Sequence, residues 1–389
     1  MFRNLLLTLI LTIPVHGAAR PPSSRLVASG VTIYRDTYGV PHVYAKTDAG
    51  AIFGLMYSQA EDNFWQLETD LVRIIGRSAE LDGARGIPGD LLVRAYESEK
   101  HAREDYARAT PKFRALCDAF AAGLNYYLET HLDVKPRLIT RFEPWFILAE
   151  ERRGPAGSSI TADERLRAFP GSANPVEVAD LHFPGELPAS IDTEEGSNMW
   201  AVSPARTTTG HAMLLINPHV GFFGGGQRYE AHLHSGEGLD VSGFAILGTP
   251  YIRSGHNRDL GWSHTNNYAQ TADVYLETFD DPKDPLAYRY GSEHRKAIEW
   301  TDSIRVRTDQ GVQVRTFRFR KTHHGPVLGM RQGSDGIVLG LAVRAVAAGG
   351  GVMAERWAMA KARNLSEFQA ALAQVAFTGS NTIYADRVG

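Results

Sequence analysis

The sequence predicts an α+β fold, on three observations. Residues 20–150 carry apolar residues at helical spacing after one opening hairpin. Residues 151–196 lose that spacing and collect Pro and Gly. Residues 197–389 break into short apolar runs bounded by Gly, Asn or Pro, the signature of strands.

In chain order, Val31 to Arg35 and Val40 to Ala45 read as two strands joined at Tyr38-Gly39. From Asp48 to Ile75 the residues Ile52, Leu55, Met56, Ala60, Phe64, Leu67, Leu71 and Ile74 recur at helical spacing. A second helix starts at Thr110-Pro111, an N-cap followed by proline at the first helical position, and carries Leu116, Phe120, Leu124 and Tyr127 on one side. Gly154-Pro155-Ala156-Gly157 opens a linker punctuated by Pro170, Pro175, Pro184 and Pro188. Strands follow over Met199 to Val202, Ala212 to Ile216, Tyr229 to His234, Tyr251 to Arg253 and Val274 to Phe279. Ile304 to Thr308 and Val314 to Phe319 form a hairpin around Asp309-Gln310-Gly311. Asn364 caps a last helix with Glu367 three positions on.

Composition narrows the function. The chain of 389 residues has a net charge of −3 and no Lys/Arg-rich run, which argues against nucleic acid as a partner. Residues 1–19 read as a secretory signal peptide: Arg3, an apolar run from Leu5 to Val15, then Gly17-Ala18-Ala19. The run is too short for a stable membrane anchor, so a periplasmic or secreted location is expected. Cys117 is the single cysteine and lies among apolar residues, so it reads as a buried small side chain.

The most informative stretch is Glu194-Glu195-Gly196-Ser197-Asn198-Met199-Trp200. No G-x-S-x-G elbow occurs to activate a serine. Cutting the Gly196–Ser197 bond would instead give Ser197 its own base, the free α-amine, with a pKa of about 7.7–8.0. Gly196 would help, because a residue without Cβ tolerates the strained geometry of attack on its own carbonyl.

Downstream come Asn217-Pro218-His219, Gly261-Trp262-Ser263-His264-Thr265-Asn266, His324-Gly325-Pro326-Val327 and Asn381-Thr382-Ile383-Tyr384-Ala385-Asp386. Upstream stand Arg35-Asp36-Thr37-Tyr38-Gly39-Val40-Pro41-His42 and Ala60-Glu61-Asp62-Asn63-Phe64-Trp65-Gln66-Leu67-Glu68. With Ser197-Asn198-Met199-Trp200, this ordered set resembles the penicillin acylase family of N-terminal nucleophile hydrolases. The resemblance implies a four-layer αββα sandwich, incomplete here because family β chains run further. It implies an α-chain region at 20–150, a spacer at 151–196 and the N-terminal part of a β chain at 197–389. The implied activity is autoprocessing followed by hydrolysis of the linear amide of an N-acylated small molecule, such as a β-lactam antibiotic or an acyl-homoserine lactone. The implied roles are Gly196 and Ser197 as cleavage junction, Ser197 as nucleophile, His219 as its hydrogen-bonding partner, and Asn381 with the Asn266 backbone N–H as oxyanion donors. The α and β chains of one precursor would be each other's partners.

Other candidates stay open. Phe222 and Phe223 border an acyl pocket or pack in the core. Asp273 aligns approximately with a calcium-ligand segment of penicillin acylases; no cofactor is required, and calcium is an option. His232 and His234 share one face of a strand, as a structural pair or half a zinc site. The competing function is a catalytically inactive truncated remnant or a small-molecule binding protein.

Overall fold

A computed structural model describes residues 24–152, 196–224, 226–267, 272–333, 336–345, 351–376 and 379–388. The signal-peptide reading of 1–19 and nearly all of the spacer lie outside the described residues.

The protein is mixed α+β. After a short helix α1 (Ser24–Ala28), the hairpin β1 (Val31–Arg35) and β2 (Pro41–Ala45) forms as expected. Helices α2 (Asp48–Ile74), α3 (Ala79–Asp82), α4 (Ile87–Ala95), α5 (Ser98–Arg108), α6 (Pro111–Thr130) and α7 (Phe146–Glu150) complete the first region. Thr47 and Thr110 cap α2 and α6, their hydroxyl oxygens accepting from the Gly50 and Phe113 N–H groups. Both long helices bury an apolar stripe against each other, and Cys117 is buried there. They approach so closely that a Cβ on Gly123 of α6 would sit 2.4 Å from the Phe53 carbonyl oxygen of α2.

The second region contributes β3 (Gly196–Val202), β4 (Met213–His219), β5 (Arg228–Ser235), β6 (Asp240–Ile246), β7 (Ser254–Asn257), β8 (Leu260–Asn266) and β9 (Ala272–Phe279). Next come β10 (Ala287–Tyr290), β11 (Glu293–Lys296), β12 (Ile298–Thr308), β13 (Gly311–Thr322), β14 (Gly325–Gln332) and β15 (Val338–Ala345). Helices α8 (Val352–Lys361) and α9 (Leu365–Leu372) precede the final strand β16 (Ser380–Asp386). The strand expected over Tyr251 to Arg253 starts later, at Ser254. Tyr251 and Ile252 are apolar and bulky because they fill the core, not because they pair in a sheet.

Seven strands form one sheet in the order β1-β2-β5-β6-β7-β8-β16. Within it β2 and β5 run parallel, so the opening hairpin is built into the sheet of the second region. The β3–β4 hairpin lies against β8 and β16, with Leu214 placed so near Gly261 that a Cβ there would be 2.9 Å from Cδ2. A five-stranded sheet, β12-β13-β14-β15-β9, packs its own apolar cluster against α3 and α4.

Polar contacts also join the two regions. The Asp48 carboxylate at the start of α2 accepts from Ser235 Oγ (2.6 Å), Trp357 Nε1 (3.2 Å) and Lys361 Nζ (2.7 Å). Gln59 donates to the Thr249 carbonyl and accepts from the Gly248 N–H. Glu151 accepts the first N–H groups of α8, from Gly351 to Met353. A break between residues 196 and 197 would therefore leave two chains locked in one core.

Candidate active site

Ser197 is the second residue of β3, half-buried, and its hydroxyl donates to the Gly196 carbonyl oxygen, part of the bond it is expected to attack. The antiparallel register of β3 and β4 sets Gly196 opposite His219, Ser197 opposite Pro218 and Asn198 opposite Asn217. The strand expected over Ala212 to Ile216 extends to His219, which thus ends β4 directly across from the junction.

Two asparagines flank His219. Asn198 Nδ2 and Asn217 Nδ2 each lie 3.2 Å from His219 Nε2. A Cβ on Gly196 would be 3.7 Å from Nδ1, so the Nδ1 edge of the ring faces the junction. Neither asparagine had been singled out from sequence; their cross-strand pairing becomes visible only with the register. At rest Gly196 is extended strand without positive φ, and a Cβ there meets only ordinary contact.

The expected oxyanion donors come together at one end of the β8–β16 pair. Antiparallel pairing sets Asn381 opposite Thr265 and Ser380 opposite Asn266. Asn381 Nδ2 donates to Thr265 Oγ1 (3.1 Å) and to the Asn266 carbonyl oxygen (3.4 Å). Both asparagines are exposed at the side where β3 lies on β8 and β16.

Beneath them, His264 ties the same two strands together. Its Nδ1 meets Thr382 Oγ1 (3.0 Å), and buried Arg356 from α8 donates to its Nε2. Burial, then the Arg356 charge, pushes His264 down to about 2, so it stays a neutral ring. Sequence reading quoted His264 without a role, and Arg356 carried no signal at all.

A cavity of about 560 Å3 opens beside Pro218, the cross-strand neighbour of Ser197. Ile216, Val220, Phe222 and Phe244 make its apolar wall, with Arg228 and Glu230 as charged lining. Phe222 is 86% and Phe223 88% exposed, which rules out core packing; Phe223 does not line the cavity. Asp273 stands on β9 with Arg344 opposite in register. His232 bonds Asp240 (2.9 Å) and His42 (3.2 Å), a structural cluster across the β2–β5 pair. Among the described residues, no helix is long and apolar enough to cross a membrane.

A family model described as penicillin amidase matches residues 30–389. Penicillin acylase 2 proenzyme of Pseudomonas sp. (strain SE83) is 29% identical over 81% of this chain and 45% of its own length. Acyl-homoserine lactone acylase PvdQ of Pseudomonas fluorescens (strain Pf0-1) is 29% identical over 82% and 43%. Aculeacin-A acylase of Actinoplanes utahensis is 30% identical over 76% and 40%. The chain thus spans less than half the length of these relatives. A solved structure of thermostable penicillin G acylase from Alcaligenes faecalis matches 48% of this chain and 33% of that one, at 26% identity and a TM-score of 0.42. The chain belongs to the penicillin amidase family.

Proposed function

We propose that this chain belongs to an exported acylase that cuts itself at Gly196–Ser197 and then hydrolyses the linear amide of an N-acylated small molecule. The observation that carries the proposal is the β3–β4 register, which sets His219 across from the junction and Ser197 across from Pro218, a residue that lines the cavity.

In the precursor, Ser197 Oγ attacks the Gly196 carbonyl carbon and its proton passes to the departing Ser197 nitrogen. The amide becomes an ester, which frees the Ser197 α-amine, and water then hydrolyses the ester to release Gly196 as a carboxylate terminus and restore the Ser197 hydroxyl. That amine then takes the Ser197 hydroxyl proton as Oγ adds to the substrate carbonyl. Asn381 Nδ2 and the Asn266 N–H hold the oxyanion. The leaving amine receives the proton back, and water releases the acyl group as a carboxylic acid. The cavity walled by Ile216, Val220, Phe222 and Phe244 would take the acyl chain.

Residues 20–150 and 197–389 would persist as α and β chains of a four-layer αββα sandwich in the periplasm or outside the cell. Calcium at Asp273 stays an optional companion of this reading; Arg344 opposite it would have to be outweighed by further oxygen donors.

Ser197→Ala removes the hydroxyl that starts the acyl shift. The purified variant should remain one chain on a denaturing gel while the parent protein splits. Cleavage of the variant at the same bond, in a protease-free sample, would show that processing is not intramolecular.

A further inference from the structure

The His324-Gly325-Pro326-Val327 motif takes no part in the chemistry above. It opens β14, in the five-stranded sheet, just after a two-residue turn made of His323 and His324. Such tight turns favour residues that adopt positive φ, Asn and Gly above all. Neither histidine has positive φ, so turn chemistry does not explain two imidazoles here.

What the turn does is bring them to Glu277 of β9. One donor atom from each of Glu277, His323 and His324 lies within 4.8 Å of the others, the sole such group of three among the described residues. Each side chain is held by a neighbour. Glu277, 4% exposed, accepts at Oε1 from Thr322 Oγ1 (2.6 Å) and meets His324 Nδ1 at 2.8 Å. Tyr288 OH lies 2.8 Å from His323 Nδ1, and the Tyr275 ring stacks on His324 at 3.6 Å.

We propose that Glu277, His323 and His324 form a binding site for a divalent transition metal of the zinc class. Two imidazoles and one carboxylate are the donor set such ions take, with water completing four-coordination. The hydroxyl partners of Glu277 and His323 are the outer contacts that orient ligands. Tetrahedral ligands about 2.1 Å from zinc stand roughly 3.4 Å apart, so the 2.8 Å His324–Glu277 contact opens slightly as the ion replaces the proton between them. The ion would fasten β9 to the β13–β14 turn. It does not depend on Ser197 chemistry, and the Ser197→Ala protein should bind it equally well.

The test is calorimetric titration of Zn2+ into the metal-free chain. One saturable equivalent is expected. His323→Ala, at an exposed position that should not disturb folding, weakens binding by more than about 10-fold, and Tyr288→Phe by roughly 10- to 100-fold. His232→Ala, in the other histidine cluster, leaves it unchanged. Absence of saturable binding in the parent chain overturns the proposal. So does binding that survives His323→Ala intact or disappears with His232→Ala.

Discussion

Replacing Asn381 with alanine should lower kcat on an N-acylated substrate by roughly 100- to 1,000-fold, a loss of about 2.7–4 kcal/mol of transition-state stabilisation. KM should change little, because the oxyanion exists only once Oγ has added to the carbonyl. The side chain is exposed and, among the described residues, bonds Thr265 Oγ1 and the Asn266 carbonyl oxygen, so folding should survive the change. Asn266→Ala is the control. Its proposed contribution is a backbone N–H, which alanine retains, so kcat should fall only slightly. Steady-state kinetics on the two variants side by side checks the assignment. Near-parent kcat in Asn381→Ala, or equal losses in both, would mean that the oxyanion is held elsewhere.

The second large effect is on stability. Asp48 is 1% exposed and gathers Ser235, Trp357 and Lys361 onto the start of α2. Asp48→Ala leaves the Lys361 ammonium and two other donors without their acceptor. Breaking one side of a buried pair costs about 3–5 kcal/mol, and the partial exposure of Lys361 puts this case at the lower end. Urea unfolding should show the midpoint falling. The same contact sets a pH dependence. Burial alone would raise the Asp48 pKa, but bonds from Lys361 and Ser235 and the Lys361 charge outweigh it and hold the group below its ordinary value. A carboxyl depressed in the folded state contributes stability above its unfolded value of about 3.9 and loses it as pH falls through the folded one. Parent and Asp48→Ala midpoints should therefore converge in acid and diverge towards neutrality. Parallel curves would show that Asp48 is not responsible.

Much of this was legible in the sequence, for identifiable reasons. Thr110-Pro111 and Asn364 with Glu367 are local signals, and the helices start where those residues put them. The hairpin of β12 and β13 turns at Asp309-Gln310, as the polar break between apolar runs indicates. The site was legible only in part. Ser197, His219, Asn266 and Asn381 stood out through motifs, but their relation is a matter of strand register, which no local pattern specifies. Asn198 and Asn217 matter because they pair across β3 and β4. Arg356 reaches His264 from another element altogether, a tertiary contact with no trace in the flanking residues. Tyr251 to Arg253 was misread because a buried apolar turn and a short strand share the same composition.

The central claim is that Ser197 becomes a chain terminus by its own chemistry. Intact-mass analysis with N-terminal sequencing of the purified parent protein tests it most directly. The account predicts two tightly associated chains, the second starting Ser-Asn-Met-Trp, and a single uncut chain from Ser197→Ala. A parent protein that remains whole after prolonged incubation, or a second chain that starts at any residue other than Ser197, would contradict it.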